Sequence, residues 1–151
     1  MPAYQRQLLE EAWYLVEREK TQTKTLQMVD YSFLVFTAAK AYEGFLKTYF
    51  YQMGLISRSA YFSLHFRIGK ALNPDLPTKY RDEYWLFDDL CTVVGEDLAR
   101  RLWSTWKLAR NQVFHFESGG ANQLSLDEAQ ERVEAVLETI EATALQQVQK
   151  D

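Results

Sequence analysis

Apolar residues recur at three- and four-residue intervals from Ala3 to Val148, and little in the chain interrupts them. Only three prolines and six glycines punctuate 151 residues. A repeat near 3.6 residues buries one stripe of a helix, whereas the two-residue alternation of a half-buried strand is almost absent. The pattern predicts an all-α antiparallel up-and-down bundle of four to five principal helices, with residues 1–151 as one domain.

The first helix is expected over Ala3–Glu19, with Leu8, Ala12, Leu15 and Val16 on one face. Polar Thr21–Thr25 reads as a turn. A long second helix is expected from Thr25 to Met53, with Val29, Phe33, Phe36, Leu46, Phe50 and Met53 along one stripe and Gly54 as its terminator. Ser57–Lys70 reads as a shorter helix stopped by Pro74 and Pro77, and Thr78–Val94 as another ending at Gly95. Glu96–Phe116 follows, with a stripe of Leu98, Leu102, Trp106, Ala109 and Val113. The last helix has the clearest start: Ser125 and Glu128 have capping-box spacing. Ala129, Val133, Val136, Leu137, Ile140 and Ala144 then form its apolar stripe.

Several functional classes are disfavoured. A single cysteine, Cys91, read as a core residue, excludes an internal disulfide framework and fits a reducing compartment. Two histidines and one cysteine do not make a typical structural zinc site. The N-terminus lacks a signal peptide's apolar centre, and Asp30, Lys40, Glu43 and Lys47 interrupt the most apolar region. A cytoplasmic protein is expected, with no membrane partner. The net charge of −4 comes from the end of the chain: residues 121–151 hold two Lys/Arg against seven Asp/Glu, while residues 1–120 hold 15 against 14. A locally basic surface is compatible with that balance.

The stretch Ala109–Glu117, ARNQVFHFE, carries the candidate chemistry. On an ordinary α-helix Lys107, Asn111 and His115 share a face, while Arg110 lies about 140° around from His115. Arg110 can still swing toward that face if the helix loosens near its end, and Trp106, four residues earlier, can stack under its guanidinium. The plain reading has Lys107 and Arg110 solvated and His115 as a cation near a helix C-terminus. The chemical reading is phosphodiester cleavage. Histidine is the side chain that moves protons near neutral pH, and arginine is a permanent cation suited to phosphate. With no evident metal ligands and no cofactor expected, such cleavage would use the 2′-hydroxyl of RNA itself as nucleophile.

Arg110-Asn111-Gln112-Val113-Phe114-His115, late in a helical chain of this size, resembles the Arg-x4-6-His signature of HEPN-superfamily ribonucleases. Arg58 and His65 also satisfy the loose spacing, but Ser59 stands where the asparagine is required. Lys40–Ser57, KAYEGFLKTYFYQMGLIS, is similar to the long-helix segment of HEPN domains in RNase LS-like toxins of toxin–antitoxin systems. The resemblance implies a metal-independent endoribonuclease of toxin or phage-defence type that leaves 2′,3′-cyclic phosphate ends. Arg110 and His115 would be catalytic and Asn111 supporting, and Lys107 is a candidate for binding RNA phosphate. Glu43 either orients Arg110 or His115, or pairs with Lys40 and Lys47 on the surface. The resemblance also implies a homodimer whose two motifs form one composite site, with a possible cognate antitoxin. The end of the Glu96–Phe116 helix and the aromatic side of the second helix, including Tyr42 and Tyr49, are expected at that interface. In some HEPN toxins a tyrosine two residues past the histidine is modified by the antitoxin; Glu117 stands there, so that regulation is not expected. His65 reads as a partly buried histidine. The alternative is a non-catalytic helical module that binds a protein partner, RNA or a nucleotide.

Overall fold

A computed structural model describes residues 1–22, 28–115, 118 and 122–148, and among these the chain is all α, with no strand. The principal helices are α1 (Ala3–Thr21), α2 (Ser32–Gln52), α6 (Glu96–Trp106) and α7 (Leu126–Val148); α3 (Arg58–Phe62), α4 (Ile68–Ala71) and α5 (Phe87–Val94) fill the α2–α6 crossover. Gln5 in α1 meets Gly44 and Thr48 in α2, so these two helices run antiparallel. The Tyr31 amide donates to the Leu124 carbonyl at 2.9 Å, and Gln147 reaches the Met53 sulfur, so α2 and α7 run the same way. Thr105 bonds Thr139 while Gln146 donates to the Val94 carbonyl, which sets α6 antiparallel to α7. In chain order α1, α2, α6 and α7 alternate in direction, as an up-and-down bundle requires.

The core is one cluster drawn from every principal helix. Leu8, Ala12 and Val16 face it from α1; Leu98, Leu102 and Trp106 face it from α6, with Ala109 and Val113 just beyond. The α2 stripe differs from expectation. Leu34, Val35, Ala38, Tyr42, Leu46, Tyr49 and Phe50 are buried, whereas Val29, Phe33 and Phe36 are exposed. The helix starts at Ser32, whose amide and hydroxyl both donate to Asp30, so Val29 precedes it. Because α2 is apolar almost all round, its sequence does not single out the buried stripe. Tyr42 and Tyr49 therefore belong to the core and not to an exposed aromatic side. Tyr42 tolerates complete burial because its hydroxyl donates to the Leu102 carbonyl at 3.0 Å, and burial pushes the phenol far above its usual range.

Helix ends follow local chemistry. Gly54 (φ +72°) closes α2: its amide bonds the Tyr51 carbonyl and the next amide, of Leu55, bonds that of Phe50. That pair is a Schellman closure, which favours glycine. Ser125 and Glu128 form the anticipated reciprocal cap of α7. Along α7 the buried positions beyond Val136 are Thr139 and Thr143, and Ala144 is exposed. The threonines are tolerated there because both hydroxyls are hydrogen bonded.

The crossover breaks two expected helices. Ser57 caps α3 by accepting from the Ala60 amide, but Ser63–Arg67 leave the helix before α4 begins. His65 is exposed there, not partly buried; its amide bonds the Ser63 hydroxyl. Within Thr78–Val94 only a 3-10 turn (Thr78–Tyr80) and α5 form. Arg81 lies over the Trp85 ring, 3.8 Å from its centroid, and donates to the Leu76 carbonyl, while the Trp85 indole donates to that of Asn73. Asp82 accepts the Tyr84 amide and pairs with Lys70. Such side-chain bonds compete with the helical ladder. The expected turn at Thr21–Thr25 and the position of Glu117 fall mostly outside the described residues: Thr21 closes α1, and Glu117 is not among them.

Candidate active site

The helix that carries the motif does not run as an α-helix to Phe116. After Trp106 it widens into a π-helical turn, Lys107–Asn111, with the Gln112 amide bonding the Lys107 carbonyl at 3.0 Å. Such wide turns recur at functional sites. After Asn111 the chain leaves the helix, so the 140° offset of an α-helix no longer separates Arg110 from His115. Arg110, Asn111 and His115 all line one opening of about 470 Å³, together with Glu43 from α2. The expected trio of Lys107, Asn111 and His115 is thus replaced by Arg110, Asn111 and His115. Lys107, at the start of the wide turn, is exposed and is not among the residues that line the opening.

Two contacts hold the backbone of this segment and of the chain that follows it. Arg132 of α7 donates to the Leu108 carbonyl, which lies within the widened segment. Burial lowers the pKa of this guanidinium, against the opposing effects of Glu128 and Glu131. Asn122 donates its side-chain amide to the His115 carbonyl, fixing the backbone beneath the histidine. Neither residue stands out in the sequence, because each acts on a backbone carbonyl and carries no motif.

Trp106 forms the cavity wall under Arg110, whose guanidinium sits 5.7 Å from the ring centroid. The ring is buried and leans on Gly69: a Cβ there would lie 2.8 Å from the indole Nε1. Gly69 therefore gives Trp106 its space. No ion pair neutralises Arg110 among the described residues. Glu43 lines both this cavity and a neighbouring one of about 350 Å³ that also reaches Arg110, Phe36 and Phe114, without pairing. It does not pair with Lys40 or Lys47 either; Lys47 donates to the Ser63 carbonyl at 2.7 Å. The surface ion pair offered for Glu43 is therefore not made.

The crossover supplies lining that the motif did not announce. Arg67 and Lys70 add two cations to the opening, and Leu64 and Phe66 add apolar wall. Lys70 is paired with Asp82, while Arg67 makes no ion pair among the described residues. Their contribution depends on the break between α3 and α4, which turns 64–70 toward α2. Exposed aromatics flank the site: Phe36 and Phe114 meet edge to face at 5.8 Å. Cys91, half-buried in α5, is not an activated thiol; burial first, then Glu96 and Asp88, push it up.

Neither a family model nor a curated protein nor a solved structure matches this chain. The likeness to HEPN ribonucleases therefore rests on the residues quoted above.

Proposed function

We propose that the protein is a metal-independent endoribonuclease of toxin or phage-defence type, acting through Arg110 and His115. The observation that carries this reading is the shared cavity: a guanidinium without an ion pair among the described residues, an imidazole and the Asn111 amide line one opening. In the reaction the RNA 2′-hydroxyl attacks the adjacent phosphorus. A 2′-O–P bond forms, the 5′-O–P bond breaks, and the products end in a 2′,3′-cyclic phosphate and a 5′-hydroxyl. A base takes the 2′ proton and an acid gives one to the leaving 5′-oxygen. Arg110 holds the phosphate oxygens and offsets the charge that develops on them, while Trp106 keeps its guanidinium in place. Asn111 is a supporting hydrogen-bond partner, and Glu43 biases Arg110 from across the opening. Lys107 belongs to the outer surface, where it can meet a flanking phosphate.

One chain offers one such histidine, and a two-fold pairing supplies the second proton carrier. The exposed Phe36, Phe114 and Leu64 around the opening favour a second copy there. The same apolar rim also favours the rival reading, a non-catalytic module that binds RNA, a nucleotide or a protein such as an antitoxin. RNA incubated with wild type, Arg110→Ala and His115→Ala in EDTA separates the two. Cleavage by wild type alone supports the proposal; binding without cleavage by all three supports the rival.

A further inference from the structure

An exposed apolar cleft lies away from Arg110 and His115 and shares no lining residue with their cavity. It is an open groove of about 820 Å³ between α1 and α7. Its floor is Leu9, Trp13, Tyr14 and Leu137. Trp13 is 38% exposed and Tyr14 64%, so two large aromatic side chains in the groove reach solvent. Four glutamates rim this floor, Glu10 and Glu17 on the α1 wall and Glu134 and Glu138 on the α7 wall. Among the described residues two of them are paired, Glu17 with Lys20 and Glu138 with Arg101. Among the described residues Glu10 makes no ion pair, and Glu134 accepts from Gln130 alone.

We infer that this groove docks a basic amphipathic helix of a partner protein. Two antiparallel helices with a furrow between them offer the ridges and grooves into which a third helix packs. Exposed tryptophan and tyrosine on the floor are the side-chain types that anchor such contacts. The rim chooses the partner's charge: lysines or arginines flanking an apolar stripe meet a glutamate on either wall. Two alternatives conflict with the same rim. A second copy of this chain, seated face to face, would set four glutamates against four, and a nucleic acid would bring phosphates to carboxylates. The acidic end of the chain, which the catalytic reading leaves without a role, then acts as a recognition surface.

The test uses three synthetic peptides: a helix with a leucine stripe flanked by lysines, the same helix with glutamates for lysines, and a scrambled lysine version. Binding is followed by calorimetry and by tryptophan emission, at low and high salt. The lysine helix should bind, weaken with salt, and lose about tenfold or more in affinity with Glu10→Lys combined with Glu134→Lys. Tyr14→Ala, at an exposed position, should weaken it too, with an unchanged circular dichroism spectrum showing that the bundle is intact. Equal binding of the glutamate or scrambled peptide overturns the inference. So does indifference to both variants, or self-association of the chain that Tyr14→Ala abolishes.

Discussion

Replacing Gly69 by alanine should destabilise the protein, although alanine is the better helix former. An alanine Cβ at this position would sit 2.8 Å from the Trp106 Nε1 and 3.6 Å from Cε2. The indole cannot step aside freely, because Trp106 is only 6% exposed. Overpacking of this kind costs about 1–3 kcal/mol, and alanine's advantage over glycine in a helix recovers roughly 0.5–1 kcal/mol. The balance runs from about 0 to 2.5 kcal/mol and centres near 1 kcal/mol, which for a chain of this size lowers Tm by roughly 2–4 °C. Gly44→Ala is the internal control. Its Cβ would meet the Gln5 side-chain amide at 2.7 Å, but that is the end of a flexible side chain whose bond to Thr48 is already 3.5 Å long. The Gln5 carbonyl oxygen has no partner to lose, so Gly44→Ala should leave Tm unchanged or slightly higher. Thermal melts of the three proteins decide the matter. A Gly69→Ala protein as stable as wild type, or equal shifts for both variants, would refute the packing of Trp106 on Gly69.

Tyr42→Phe removes the buried bond from its hydroxyl to the Leu102 carbonyl and should cost about 1 kcal/mol in denaturant unfolding, with the m-value unchanged. Arg132→Met removes the donor to the Leu108 carbonyl; a stability loss of about 1–3 kcal/mol is expected, together with reduced RNA cleavage although Arg132 lies outside the cavity lining. Asp30 ties the start of α2 to the start of α7, and a pH titration of stability reports on it. Burial raises its pKa, but the Leu124 amide and the Ser32 hydroxyl and amide outweigh that and hold it below its ordinary 3.8. The folded state therefore binds this proton less readily than the unfolded one. Asp30 stabilises fully above its ordinary pKa, and the effect fades as pH falls through the lowered folded value. Asp30→Asn should flatten that acid limb; an unchanged acid limb would count against the clamp.

The ends of the bundle were readable because their chemistry is local: Ser125 with Glu128, Gly54 after α2, and the Leu98–Val113 stripe all appear where spacing puts them. The inner face of α2 was not, since Phe33, Phe36, Tyr42 and Tyr49 are equally apolar and only tertiary contacts sort them. The crossover was hidden for a different reason. Arg81, Asp82 and Trp85 give the backbone partners outside a helix, and no period records that. Arg110, Asn111 and His115 could be named in advance, but the widened turn that carries Arg110 and Asn111 could not. It depends on a five-residue hydrogen bond and on Arg132, 22 positions further along the chain. Arg67 and Lys70 reach the same cavity only because Ser63–Arg67 leave the helix.

The most direct test of the catalytic account is cleavage, in EDTA, of an RNA strand and of the same strand with 2′-deoxy sugars, with the product ends identified. The account predicts that wild type cuts only the RNA, leaving 2′,3′-cyclic phosphate and 5′-hydroxyl ends, and that His115→Ala cuts neither strand. Cutting of the deoxy strand, a requirement for added metal, or equal activity in His115→Ala would contradict it.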